Sequence, residues 1–246
     1  MNPVEPSHPA SARNRRAGKF RFSMPEFLGA LILMLFVTPF VVELKYGKAI
    51  DSALITVMLV MGVLAVGRSH RTLVLAAALM LPAVGARWAF HLWPDTVPAQ
   101  LTSLTGLTFI GFVEFQLLRF IFRARRVDTE VLCAGIAGYL LLGVLWMSAY
   151  MLVSGLTPPD PLQPALHPGA FAFTVGITSP HTLSQFEAYY FSYITLSTVG
   201  YGDITPLSPG ARTLAMMEAM TGTLYMAVLI SRLVALYSNE KRDEEN

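Results

Sequence analysis

The sequence predicts an all-α membrane protein of six transmembrane helices plus one short re-entrant segment, and three observations carry that prediction. Hydrophobic residues make up 54% of the 246 and charged residues 14%, with a mean hydropathy of +0.52, which is too apolar for a soluble domain. Six apolar runs, at 27–44, 50–67, 72–92, 101–122, 131–153 and 210–236, each reach the roughly 17–25 residues that cross a bilayer as a helix. Between the last two lies a longer link, 154–209, holding a helix-like run and then a non-helical turn with two glycines. Irregular backbone at membrane depth is tolerated only where it is buried in protein or lines a cavity.

Composition divides the chain into a polar arm (1–23), a four-span module (24–126), a two-span unit with the re-entrant link (127–237) and a short charged tail (238–246). The arm carries Pro3, Pro6, Pro9 and five basic residues, and reads as a disordered basic segment near anionic lipid headgroups. A second reading makes it an amphipathic regulatory segment using Phe20 and Phe22. A cleaved signal peptide is disfavoured, because the following apolar run is long and lacks an A-x-A site. Cys133 stands alone, so no intrachain disulfide is expected, and no Cys/His cluster has zinc-ligand spacing. With the amino terminus inside, fourteen of the 18 Lys and Arg fall at inner ends and loops, leaving Lys45, Lys48, Arg87 and Arg212 outside. The loop-charge rule therefore predicts a multi-pass protein of the cell membrane with both termini cytoplasmic.

The fourth span has no arginine from 101 to 116. Arg119, Arg123 and Arg126 recur at helical spacing at its inner end, where they read as positive-inside anchors or as a reduced voltage sensor. Glu114 in that span and Arg87 in the third should face protein or water. Two readings stand for them: structural polar contacts, direct pairing included, or a proton-sensitive gating role for Glu114. Gly135, Gly138 and Gly143 in the fifth span offer close packing, and Trp146 and Tyr150 are placed near the outer interface. The stretch 154–180 reads as an extracellular loop whose His167, with the nearby His181, is solvent-exposed rather than metal-ligating, with an extracellular pH response through the two as a further reading.

The run 184–197 is an aromatic amphipathic helix opened by a capping box, Ser184 with Glu187. It leads into Thr198-Val199-Gly200-Tyr201-Gly202-Asp203. Four copies of such a turn in a ring would present stacked carbonyl oxygens and one ring of threonine hydroxyls to a dehydrated cation. The glycines matter because carbonyls pointing one way need backbone angles that a Cβ resists. These six residues resemble the selectivity filter of potassium channels of the bacterial type, with six spans and one pore segment.

The resemblance is strong over 184–237 and weak before it. It implies a homotetrameric pore in which the carbonyls of Thr198, Val199, Gly200 and Tyr201, with the Thr198 hydroxyl, bind K+, Gly202 completing the filter. Run 184–197 becomes the pore helix, its carboxyl end favouring a cation in the cavity below. Tyr201 should pack outward on pore-helix aromatics, and Tyr190 should hydrogen bond Asp203. Ile194 departs from members with a carboxylate there, so the network behind the filter should be smaller. Gly222 takes the place of a hinge glycine, with close packing as the other reading, and Thr223, Met226 and Ile230 should line the cavity. Glu218 reads as a buried acceptor.

The function so implied is passive, potassium-selective conduction without strong voltage gating and without enzymatic chemistry. Potassium is the permeant ligand and no cofactor is expected. Lipid and identical subunits are the expected partners, nucleic acid is not, and the short tail leaves ligand control to a separate regulatory subunit. Two alternatives are a subunit of a potassium uptake transporter and a weakly selective cation channel. A third is a non-conducting scaffold or sensor that keeps the motif.

Overall fold

A computed structural model describes residues 24–41, 44–67, 69–160, 169–174 and 181–245. The basic arm, Arg68 and His167 lie outside them. The elements are α1 (Met24–Val41), α2 (Gly47–Val66), α3 (His70–Leu92), α4 (Ala99–Arg123), α5 (Thr129–Leu156), β1 (Phe171–Phe173), α6 (Gln185–Leu196), β2 (Ile204–Pro206) and α7 (Pro209–Glu245). Among the described residues six helices are long and apolar enough to span a membrane: α1 to α5 and α7. The protein is a helical membrane protein as the sequence predicts, with several boundaries moved.

Helix α1 includes Met24, three residues before the apolar run, and Pro25 there is tolerated as in a first turn. It is helical through Val41, and Leu44, the last residue of the apolar run, is a bend. Helix α7 does not stop at the apolar boundary. It runs on through Glu245, so the tail expected as a separate segment continues the inner helix, in keeping with its Glu, Lys and Arg content. Among the described residues side chains cap four starts: Ser69 Oγ accepts from Thr72 N, Asp128 from Val131 N, Ser184 from Glu187 N and Ser208 from Ala211 N.

Helices α1, α2, α4 and α5 share one core built on Phe27, Leu31, Met58, Phe109, Val113, Leu117, Ala137 and Leu141. Gly62 lets α2 lie against Phe27, Phe109 and Val113. The turn between α4 and α5 is short, so the four-helix module rests against α5 of its own chain. A second cluster, around Tyr150, Phe171, Leu183, Phe191 and Ile204, closes the other end of α5 and α6. There the rings of Tyr150, Phe171 and Phe191 meet edge to face at 4.9–5.8 Å. Tyr150 is fully buried within this cluster.

The loop after α5 is not irregular throughout. Strand β1 pairs antiparallel with β2, Ala172 opposite Thr205, although Ile204-Thr205-Pro206 had no strand signature beyond its β-branched residues. Thr174 N donates to Asp203 O at 2.8 Å and Leu207 N to Ala170 O at 2.8 Å, so this ribbon clamps the chain just after the filter-like turn.

Candidate functional site

The filter-like turn hangs from the carboxyl end of α6. Helix ends leave carbonyls without partners, and here the turn supplies donors. Thr198 N donates to Thr195 O at 3.0 Å, Val199 N to Ile194 O at 2.9 Å and Gly200 N to Ile194 O at 3.2 Å. Successive N–H groups are thus drawn back toward the helix. A trans peptide carries its C=O opposite its N–H, so the carbonyls on these planes face away from α6.

The backbone angles agree. Thr198, Gly200 and Gly202 have φ of +61°, +54° and +81°, while Val199 and Tyr201 between them do not share the positive sign. Alternation of handedness groups like ends of successive peptide dipoles on one side. Positive φ at a β-branched residue is an outlier costing on the order of 1–3 kcal/mol, which clusters at functional sites. The two glycines were expected to meet this need, and Thr198 meets it as well. Residues 198–202 are exposed within one chain, Tyr201 at 73%. The expected packing of its ring on pore-helix aromatics is therefore not made inside the chain.

At the outer end the Asp203 carboxylate pushes up the pKa of the Tyr190 hydroxyl. Asp203 Oδ1 is buried without a hydrogen-bond partner among the described residues. At the start of α6, burial favours the neutral form of Glu187. Bonds from Ser184 N at 2.7 Å, His181 Nε2 at 3.1 Å and Ser184 Oγ nevertheless hold its pKa below the ordinary value. His181 also stacks on Phe173 at 4.2 Å, so it is part of this cap rather than a free solvent-exposed histidine. Among the described residues no cluster of His, Cys, Asp and Glu could hold a metal ion.

Behind the turn, α6 is laced to α5 by hydroxyls. Tyr193 donates to Leu140 O at 2.6 Å, Ser192 reaches Gly143 O at 2.8 Å, and Tyr139 reaches Leu196 O at 3.4 Å. A Cβ at Gly143 would meet the Tyr193 ring at 2.5 Å, which explains one of the fifth-span glycines. Glu218 on α7 is fully buried and bonded to Tyr150 and Ser192. Glu218 thus joins the inner helix to α5 and α6 on the side of the pore helix that carries Ser192.

Gly222, one turn further along α7, lies against the end of α6: a Cβ there would sit 2.5 Å from Leu196 O. Helix α7 passes through it unbroken. Thr223, Met226 and Ile230 share an exposed face of α7 in the single chain.

Arg87 does not pair with Glu114. It bonds Asp51 on α2 and, at 2.7 Å, Gln185 Oε1 in the first turn of α6, while Gln185 Nε2 donates to Asp51 Oδ2 at 2.9 Å. Asp51 was overlooked in the sequence, although an acid inside an apolar run is itself a signal. Glu114 is 4% exposed, and neither carboxylate oxygen has a hydrogen-bond partner among the described residues. Arg119, Arg123, Arg125 and Arg126 are exposed, and α4 ends at Arg123, so the helical spacing does not carry through to Arg126.

Residues 166–239 match the family model described as "Ion channel". Over 68 residues, 28% of this chain and 14% of the relative, the sequence is 37% identical to two pore potassium channel c of Oryza sativa subsp. japonica. It is 40% identical over 52 residues, 21% of this chain and 18% of the relative, to the inward rectifier potassium channel Kirbac3.1 of Paramagnetospirillum magnetotacticum. It is 39% identical over 57 residues to the potassium voltage-gated channel protein shk-1 of Caenorhabditis elegans, covering 23% of this chain and 11% of that one. The chain spans less than a fifth of the length of these relatives. No solved structure matches it. The likeness to ion channels thus falls on 166–239, from the loop before α6 through most of α7, and the relatives named there are potassium channels.

Proposed function

We propose that this chain is a potassium-selective channel subunit that conducts ions passively down their gradient. The observation that carries the reading is the backbone of 198–202: N–H groups drawn back to α6, φ alternating in sign, and the opposite face exposed. One copy cannot enclose an ion. Four copies about a rotation axis would bring the carbonyls of Thr198, Val199, Gly200 and Tyr201 and the Thr198 hydroxyls into rings that replace the hydration shell of K+. Such an assembly would cover Tyr201 and the exposed apolar face of α7, and leave Thr223, Met226 and Ile230 around the cavity. Asp203 and Tyr190 brace the outer mouth.

Residues 24–126 act as a module beside the pore domain, 127–237, with both termini cytoplasmic in the cell membrane and lipid around the rim. Exposed inner-end arginines with none deeper in α4 support weak voltage dependence. Control by a separate regulatory subunit is compatible with this arrangement. The test is reconstitution of the purified chain in liposomes and measurement of the reversal potential under potassium and sodium gradients. A reversal potential that tracks potassium is expected; one indifferent to the potassium gradient refutes the proposal.

A further inference from the structure

The buried cluster joining α5, α6 and α7 has more oxygen contacts than hydroxyl protons. Glu218 Oε2 lies 2.5 Å from the Tyr150 hydroxyl, Glu218 Oε1 lies 2.6 Å from Ser192 Oγ, and Ser192 Oγ lies 2.8 Å from Gly143 O. Each of these three oxygen pairs needs a proton between its members. Tyr150 and Ser192 have one each to give, and a backbone carbonyl has none. The third must come from Glu218.

The surroundings agree with a neutral group. Glu218 and Ser192 are both fully buried, and an ionised carboxylate is expensive there without a cation opposite it. Among the described residues the ionisable side chains that interact with Glu218 are Tyr139 and Tyr150 from α5 and Tyr193 from α6, none of them cationic. On α7 itself the basic Arg212 is exposed and donates to Pro206 O.

We propose that Glu218 is a protonated carboxylic acid that donates to Ser192 Oγ, accepts from Tyr150, and so acts as the positioning strut holding the pore helix between α5 and α7. In this arrangement Ser192 donates its own hydrogen bond to Gly143 O, and every oxygen in the chain Glu218–Ser192–Gly143 is satisfied. Glu218 and Gly222 are four residues apart, on one face of α7, and both meet α6. Movement of the inner helix is therefore transmitted to the end of α6 from which the filter-like turn hangs. Alkaline titration removes the third proton. Ser192 must then choose between the carboxylate and Gly143 O, and the pore helix loosens.

The consequence for conduction rests on the channel reading above, so the test has one arm that does not. Infrared spectra of the full chain in liposomes at neutral pH are expected to contain a protonated carboxylic acid C=O band that E218Q removes and E114Q leaves in place. A spectrum in which E218Q removes only carboxylate absorption overturns the proposal, whether or not the protein conducts. In the second arm, potassium flux is measured from neutral to alkaline pH. E218Q, whose amide can donate to Ser192 and accept from Tyr150, is expected to conduct and to lose the alkaline decline of the parent. E218A is expected to lower flux about tenfold at neutral pH, the scale of one or two lost buried hydrogen bonds. An E218Q channel with the parent's alkaline decline overturns the strut. Absent potassium selectivity in the parent defeats the channel reading alone, and the infrared result still decides the proton.

Discussion

Replacing Gly222 by alanine separates two roles for that residue, and the contact geometry fixes what to expect. The new Cβ would lie 2.5 Å from Leu196 O and 2.9 Å from Leu196 Cδ1. The leucine side chain can swing away, but the carbonyl belongs to the last turn of α6 and cannot. Restoring a normal contact moves α6 and α7 apart by about 0.5 Å or more, at the point where the turn 198–203 begins. Overpacking of this kind costs ~1–3 kcal/mol. Alanine returns ~1 kcal/mol in helix propensity. The balance is a loss of ~0–2 kcal/mol in stability together with a displaced filter. Unfolding in detergent should show the first, and a smaller reversal-potential difference between potassium and sodium should show the second. Adding Leu196→Ala relieves only the side-chain contact, so rescue should be partial. A hinge predicts the reverse: altered open probability, intact selectivity and a helix made more stable. Gly222→Ala with raised stability and unchanged selectivity would refute the packing argument.

Three further outcomes follow from the site. Arg87→Gln should cost ~3–5 kcal/mol in denaturant unfolding, since it strands the buried Asp51 carboxylate, and the double variant with Asp51→Asn should recover most of that loss. Because the Glu187 pKa is held below its ordinary value, its stabilising contribution is present above about pH 4.3 and is lost as pH falls through the folded-state value. Thermal unfolding between neutral pH and pH 3 should therefore be flatter for Glu187→Gln than for the parent. Tyr190→Phe removes the hydroxyl that meets Asp203, and potassium current should decay faster during sustained opening; unchanged decay would count against the bracing role.

Much of this could be read from the chain itself, because the signals were local. Apolar run length gave the six spans, and Ser184 three residues before Glu187 gave the start of α6, since a capping box closes within one helical turn. Residues 198–203 named the turn. Boundaries moved where a neighbour outside the apolar pattern mattered, as with the charged helix formers that prolong α7. The β1–β2 ribbon was not legible, since a three-residue strand has too little pattern to be seen without its partner.

The sequence by itself determined the membrane setting, the number of helices and the stretch where backbone, rather than side chains, does the chemistry. Only the tertiary structure decided the partners of the buried polar groups. Arg87 takes Asp51 and Gln185 instead of Glu114, Tyr150 turns inward to Glu218, and Thr198 joins the glycines at positive φ. The physical reason is range. Helix length and capping are set by residues within a few turns, whereas a buried charge or hydroxyl is satisfied by whatever group packing brings within about 3 Å, and that group here lies 36 to 98 positions away in the chain.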